Sequence, residues 1–204
     1  MGNVDLSVSI AKFYRVCLFG RDESDDYRAA ANRAYLDLCR TITFRDKDDK
    51  KHIYYRSEIV GLIITKIQDK LFENHKPSQE TYDDFHADLC NQITEYTNEV
   101  AENLTYGQAQ KWVNMTMKYL CVLSEGNFTG KFEWLGRFYP YLHVPIDSII
   151  LDKIEEARFP NINLDKNLCW SKIDKYEFYL EIQENLRKSL TAMSPMDWEF
   201  EVWG

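Results

Sequence analysis

No apolar run in the chain is long enough to cross a bilayer. The longest, IVGLIITKI at residues 59–67, is interrupted by Lys66. The opening MGNVDLSVSIAKFYRV has neither a basic n-region nor a continuous apolar core, so no signal peptide is expected. Leu6 stands where a myristoylation motif requires Ser or Thr. The cysteines Cys17, Cys39, Cys90, Cys121 and Cys169 are odd in number and include no C-x-x-C pair, which points to free thiols in a reducing cytoplasm. The phosphate-binding G-x-x-x-x-G-K-[ST], the dinucleotide G-x-G-x-x-G and the nucleophile-elbow G-x-S-x-G are all missing. His86 and Cys90 are spaced i, i+4, but no second His/Cys cluster completes a metal site, so neither metal nor cofactor is expected. Two-residue alternation, fixed-period repeats, low-complexity tracts and Pro/Ser linkers are also lacking. These absences leave a cytoplasmic chain, residues 1–204, folded as a single domain without a sizeable sheet.

Hydrophobic residues at 45% and charged residues at 28% suit a globular protein and exclude a disordered one. The formal charge of −8 repels polyanions, so work on nucleic acid would need a local basic surface. Helical periodicity runs through most of the chain. Ser24 and two aspartates open a helix whose Ala30, Ala34, Leu38 and Ile42 share one face, with Arg33 and Arg40 on a solvated or salt-bridged face. A charged connector, 45–52, leads to an apolar helix over 53–74, expected at the centre of the core. Ser78 caps a helix over 79–100 with Tyr82, Phe85, Leu89, Ile93 and Tyr96 inward. Further helices are expected at 107–123, 148–157, 171–190 and 194–203. The aromatic-rich loop 124–145 and a second loop, 158–170, separate them. The expected architecture is all-α, with about eight or nine helices.

Lys111, Asn114 and Lys118 recur at i, i+3, i+7 on the helix 107–123, opposite an apolar stripe, and alone they describe an amphipathic helix with a wet side. Asp147, after Pro145, alone describes an N-cap. The acidic pairs Asp83/Asp84 and Glu155/Glu156 read as solvated surface, and His86 as a partly exposed ring beside a core thiol.

Taken together, LTYGQAQK (104–111) followed by a helix, an aromatic loop and VPID (144–147) is similar to the helix-hairpin-helix DNA glycosylases, most of all their 8-oxoguanine glycosylase-like branch. Leu104, Gly107 and Lys111 fall on that family's L-x-x-G-x-G-x-K hairpin. Ala109 replaces its second glycine, so the hairpin is degenerate, and the resemblance covers roughly residues 100–200, with its hairpin and catalytic segment at 104–151.

The resemblance implies that Lys111 attacks the sugar as a Schiff-base nucleophile while Asp147 activates it and stabilises the sugar cation. It further implies that Gly107, Gln108 and Gln110 contact the DNA backbone at a hairpin whose N–H groups bind phosphate. His143 and Trp170 would line the pocket for a flipped base. Apolar packing from Trp112 and Met115 is expected to desolvate Lys111. The implied partner is duplex DNA carrying a damaged or modified base, 8-oxoguanine first among them, bound by a monomer. The alternative is a non-catalytic all-α interaction module that keeps the fold.

Overall fold

Acidic and hydroxyl side chains set where the helices begin, and an apolar stripe on each sets how they pack. The structure, a computed structural model, describes residues 6–20, 25–45, 48–98 and 104–203; these form nine α-helices and no strand. They are α1 (Leu6–Phe19), α2 (Asp26–Leu38), α3 (Asp49–Ile67), α4 (Gln79–Asn98), α5 (Tyr106–Leu123), α6 (Glu133–Phe138), α7 (Ser148–Ala157), α8 (Tyr176–Ser189) and α9 (Pro195–Trp203). The observed architecture is therefore the all-α one expected from the periodicity. Asp25 caps α2 by accepting from the Tyr27 and Arg28 N–H groups, Asp48 caps α3, and Thr105 with Gln108 forms a reciprocal capping box on α5. Ser24, the cap expected for α2, and residues 99–100 at the expected end of α4 lie outside the described residues.

At the centre stands α5, in which every residue from Gly107 to Lys118 is buried. Ala30, Ala31 and Ala34 let α2 approach it closely, and the Trp112 indole N–H crosses to donate to the Ala31 carbonyl at 2.9 Å. Ile59, Ile63 and Ile67 of α3 and Tyr82, Leu89 and Ile93 of α4 close that side. Each such aliphatic side chain contributes roughly 1.5–3 kcal/mol by leaving water. A second cluster joins Ile150 and Ile154 of α7 to Tyr179, Ile182 and Leu186 of α8 and Trp198 of α9. Trp170 packs against both clusters.

Several local expectations change. α3 starts four residues before Ile53, because Asp48 supplies a cap and the charged first turn needs no apolar partner. It also gives way to a single π-helical turn, Gln68–Phe72. α3 is less central than expected, since Ile53 and Tyr54 face solvent while α5 is enclosed all round. α8 begins at Tyr176 rather than 171, because Trp170–Lys172 form a separate 3-10 turn that ends at Ile173, whose carbonyl accepts the Gly107 N–H at 2.9 Å instead of a helical N–H. The loop 124–145 holds the short α6 flanked by 3-10 turns. Tyr96, expected inward, is 37% exposed and packs edge-on against Tyr55. The Arg33 face is salt-bridged as expected, to Asp37 at 2.8 Å. No helix among the described residues is long and apolar enough to cross a membrane.

Candidate active site

Gly107 fixes how the chain closes over the start of α5. A Cβ there would lie 1.8 Å from the Trp170 carbonyl oxygen and 3.3 Å from the Ile173 side chain, so only glycine admits the segment 170–173. Its role is close approach, not a left-handed turn, since its φ is not positive. The neighbouring amides are engaged internally as well: the Gln108 N–H donates to Thr105 Oγ1, and Thr105 Oγ1 donates to the Ser171 carbonyl. This corrects the expectation of a hairpin whose N–H groups lie open to phosphate. Gln108 and Gln110 are corrected in the same way. The Gln108 amide reaches the Thr41 carbonyl at 2.6 Å, and Gln110 holds both backbone groups of Ile146. Neither side chain faces solvent.

One turn into α5, Lys111 Nζ lies 3.0 Å from Asp147 Oδ2. Lys111 is only 8% exposed and Asp147 only 7%. The polar stripe is thus not a wet face, because α7, α8 and α9 cover it. Asp147 is also the N-cap of α7, its Oδ1 accepting from the Ile150 N–H at 3.0 Å. Cap and ion pair use different oxygens, so each locks the carboxylate for the other. The Trp170 ring covers the ammonium, with Nζ 4.6 Å from its centroid. Trp112, expected to shield Lys111, turns the other way, onto Tyr35 and α2. Trp170 and Ser148 also line a cavity of about 480 Å³ between α7 and the loop 158–170, with Leu151, Ile154 and Leu168 on its apolar wall. Lys111 and Asp147 themselves do not line it.

His143 does not face that cavity, which corrects its assignment to a base pocket. It is wholly buried, with Nε2 2.6 Å from Asp83 Oδ1 and Nδ1 2.8 Å from Tyr179 Oη. Asn114 Nδ2 can only donate, and it donates to Tyr179 Oη at 2.8 Å. Tyr179 Oη also lies 3.4 Å from His86 Nε2, its shorter ring-nitrogen contact being to His143 Nδ1, while His143 Nε2 faces Asp83. Burial pushes the His143 pKa below its usual 6.5, against the opposing pull of Asp83. Asp83 is held below the ordinary carboxylate range: its bonds to His143 and Gln79 and the nearby Arg187 outweigh desolvation. Asp83 is thus half-buried structure rather than solvated surface. His86, expected to be partly exposed, is enclosed too; its ring stacks on Tyr179 and its pKa falls well below 6.5 by burial. Cys90 Sγ lies 3.7 Å from it, yet no group of three metal-binding side chains exists among the described residues.

A second buried pair lies two turns along α5. Lys118 Nζ is 2.5 Å from Glu199 Oε1 of α9, with the Trp203 ring centroid 4.5 Å away. Desolvation raises the Glu199 pKa, Lys118 lowers it, and the neighbouring Asp147 carboxylate raises it further. Glu199 Oε2 has no hydrogen-bond partner among the described residues. Neither Gln183 nor Glu199 was singled out in the sequence. The available signal was a polar residue on an apolar helical stripe: Tyr179, Ile182, Gln183 and Leu186 of α8 are all buried.

Lys111, Asp147 and Trp170 are therefore brought together across the chain, whereas Gly107, Gln108, Gln110 and His143 serve the frame around them. The chain matches no family model, no curated protein and no solved structure.

Proposed function

We propose that this protein is a DNA glycosylase with associated lyase activity, acting on a damaged or modified base, with 8-oxoguanine the first candidate from the sequence resemblance. The observation that carries the reading is the Lys111–Asp147 contact of 3.0 Å, which joins α5 to the N-cap of α7 in a water-poor setting. An amine and a carboxylate so placed suit displacement at a sugar carbon. Asp147 Oδ2 accepts a proton from Lys111 Nζ, and the freed lone pair attacks C1′ as the C1′–N bond breaks. The base leaves with that electron pair and takes the proton that Asp147 accepted. The carboxylate so restored stabilises the sugar cation more strongly here than in bulk water. Opening of the sugar ring gives an imine, β-elimination expels the 3′ phosphate, and water hydrolyses the imine to restore Lys111. The cavity bounded by Trp170 has room for a flipped base against an aromatic wall.

One observation favours the non-catalytic interaction module instead: the amides that a phosphate-binding hairpin would offer are engaged within the chain. Borohydride trapping on duplexes carrying 8-oxoguanine, uracil or an abasic site separates the two. Wild-type protein is expected to form a covalent adduct that Lys111→Gln cannot form. An equal adduct from Lys111→Gln removes that lysine from the mechanism, and no adduct on any duplex favours the module.

A further inference from the structure

Asp147 is delivered by an extended strap, His143–Asp147, that runs through the core outside any helix. Val144 and Ile146 are wholly buried, and backbone groups at such positions need partners. Both residues are satisfied by side-chain amides. Gln183 of α8 accepts the Val144 N–H at 3.1 Å and donates to the Val144 carbonyl at 2.7 Å. Gln110 of α5 accepts the Ile146 N–H at 3.2 Å and donates to the Ile146 carbonyl at 2.7 Å. Asn114 adds a second donor to the Val144 carbonyl at 3.2 Å. Each glutamine thus acts as one rung of a neighbouring strand. Pro145, between the two rungs, has no N–H to satisfy.

We infer that Gln110 and Gln183 are positioning residues that set the Asp147 carboxylate against Lys111, an assignment that rests on the glycosylase reading above. Gln110 adjoins Lys111 in α5 and grips the residue before Asp147, so one helical turn carries the amine and fixes the approach of the acid. On the far side, the α7 cap fixes Asp147 through Ile150. The strap is held at both ends of a single side chain. Gln183 extends that hold from a third helix, at a position remote from Lys111 in sequence and with no contact to it.

The test uses full-length Gln183→Met and Gln183→Glu in single-turnover borohydride trapping on an abasic duplex, with protein in excess. Methionine fills the space and makes neither bond. It is expected to lower the trapping rate constant by roughly 10- to 100-fold, the scale of a small misplacement, while the duplex Kd is unchanged, because Gln183 is wholly buried. A neutral glutamic acid at 183 can accept from the Val144 N–H and donate to its carbonyl, whereas the carboxylate cannot donate. The Gln183→Glu rate, relative to wild type, is therefore expected to recover as pH falls. Other titratable or charged groups around the strap are Lys111 and Lys118 on α5, Asp83 and His86 on α4, Tyr179 and Arg187 on α8, Glu199 on α9, and His143 on the strap itself. Gln183→Met shares them all, so a recovery it also shows overturns the inference. A lower adduct amplitude with an unchanged rate constant means folding support only, and also overturns it. If wild type itself forms no adduct, the glycosylase reading fails and amide exchange decides the positioning: the Ile150 N–H should exchange faster in Gln183→Met with α5 amides unchanged, and equal exchange at Ile150 overturns it.

Discussion

Replacing Gly107 by alanine separates two roles that a glycine at this position could have. A Cβ would stand 1.8 Å from the Trp170 carbonyl oxygen, and that neighbour is backbone, which cannot rotate aside. The segment 170–173 must move away from α5. Overpacking of this kind costs about 1–3 kcal/mol. The movement also breaks the Gly107 N–H bond to the Ile173 carbonyl, and the Thr105 hydroxyl bond to the Ser171 carbonyl, together about 1–3 kcal/mol net. A loss of about 2–6 kcal/mol follows, or roughly 4–24 °C in Tm for a domain of this size. Urea unfolding followed by circular dichroism at constant m reads the stability. Tryptophan emission reads the displacement of Trp170 from the Lys111 ammonium. A Gly107→Ala protein within about 0.5 kcal/mol of wild type, the scale of an ordinary surface substitution, would refute the close-approach argument. A loss of DNA affinity without a loss of stability would restore the open phosphate-binding hairpin.

Lys118→Met should destabilise by about 3–5 kcal/mol, because it strands the buried Glu199 carboxylate. Adding Glu199→Gln should recover much of that in the same unfolding assay, and an additive double mutant would count against a buried pair. Acid should weaken the fold through His86 and His143. Their folded pKa values lie below 6.5, so the stability they contribute is complete above pH 6.5 and falls as the pH drops below it, where the unfolded chain binds protons first. A flat urea midpoint from pH 7 down through 5 would contradict this.

Helix type and position were legible where one apolar stripe met solvent on its far side, as in α2 and α4. The fold around α5 was not. Its stripe of Lys111, Asn114 and Lys118 has the spacing of a solvated face, and sequence spacing cannot distinguish water from a ring of partners drawn from α7, α8 and α9. Lys111 and Asp147 were found as a pair through motif resemblance, and the structure brings them into contact. Gln108 and Gln110 were read as DNA contacts because they sit in the hairpin motif; their amides bind Thr41 and Ile146, whose positions only the tertiary fold defines. His143 was placed in a pocket by its neighbours in sequence, yet its partners, Asp83 and Tyr179, lie 60 and 36 residues away.

The pairing of Lys118 with Glu199 ties the middle of the chain to α9, and this has a bearing on synthesis. While a ribosome is still extending the chain, α5 emerges with an ammonium that no earlier segment neutralises among the described residues; its acidic partner is 81 residues downstream. The central helix cannot settle into its final, water-free surroundings until α9 has cleared the exit tunnel. Until then, the nascent chain holds the helix destined for deepest burial beside an unmatched cation. Docking of α9 therefore acts as the closing step of assembly, and a chain released before residue 199 lacks the group that completes its core.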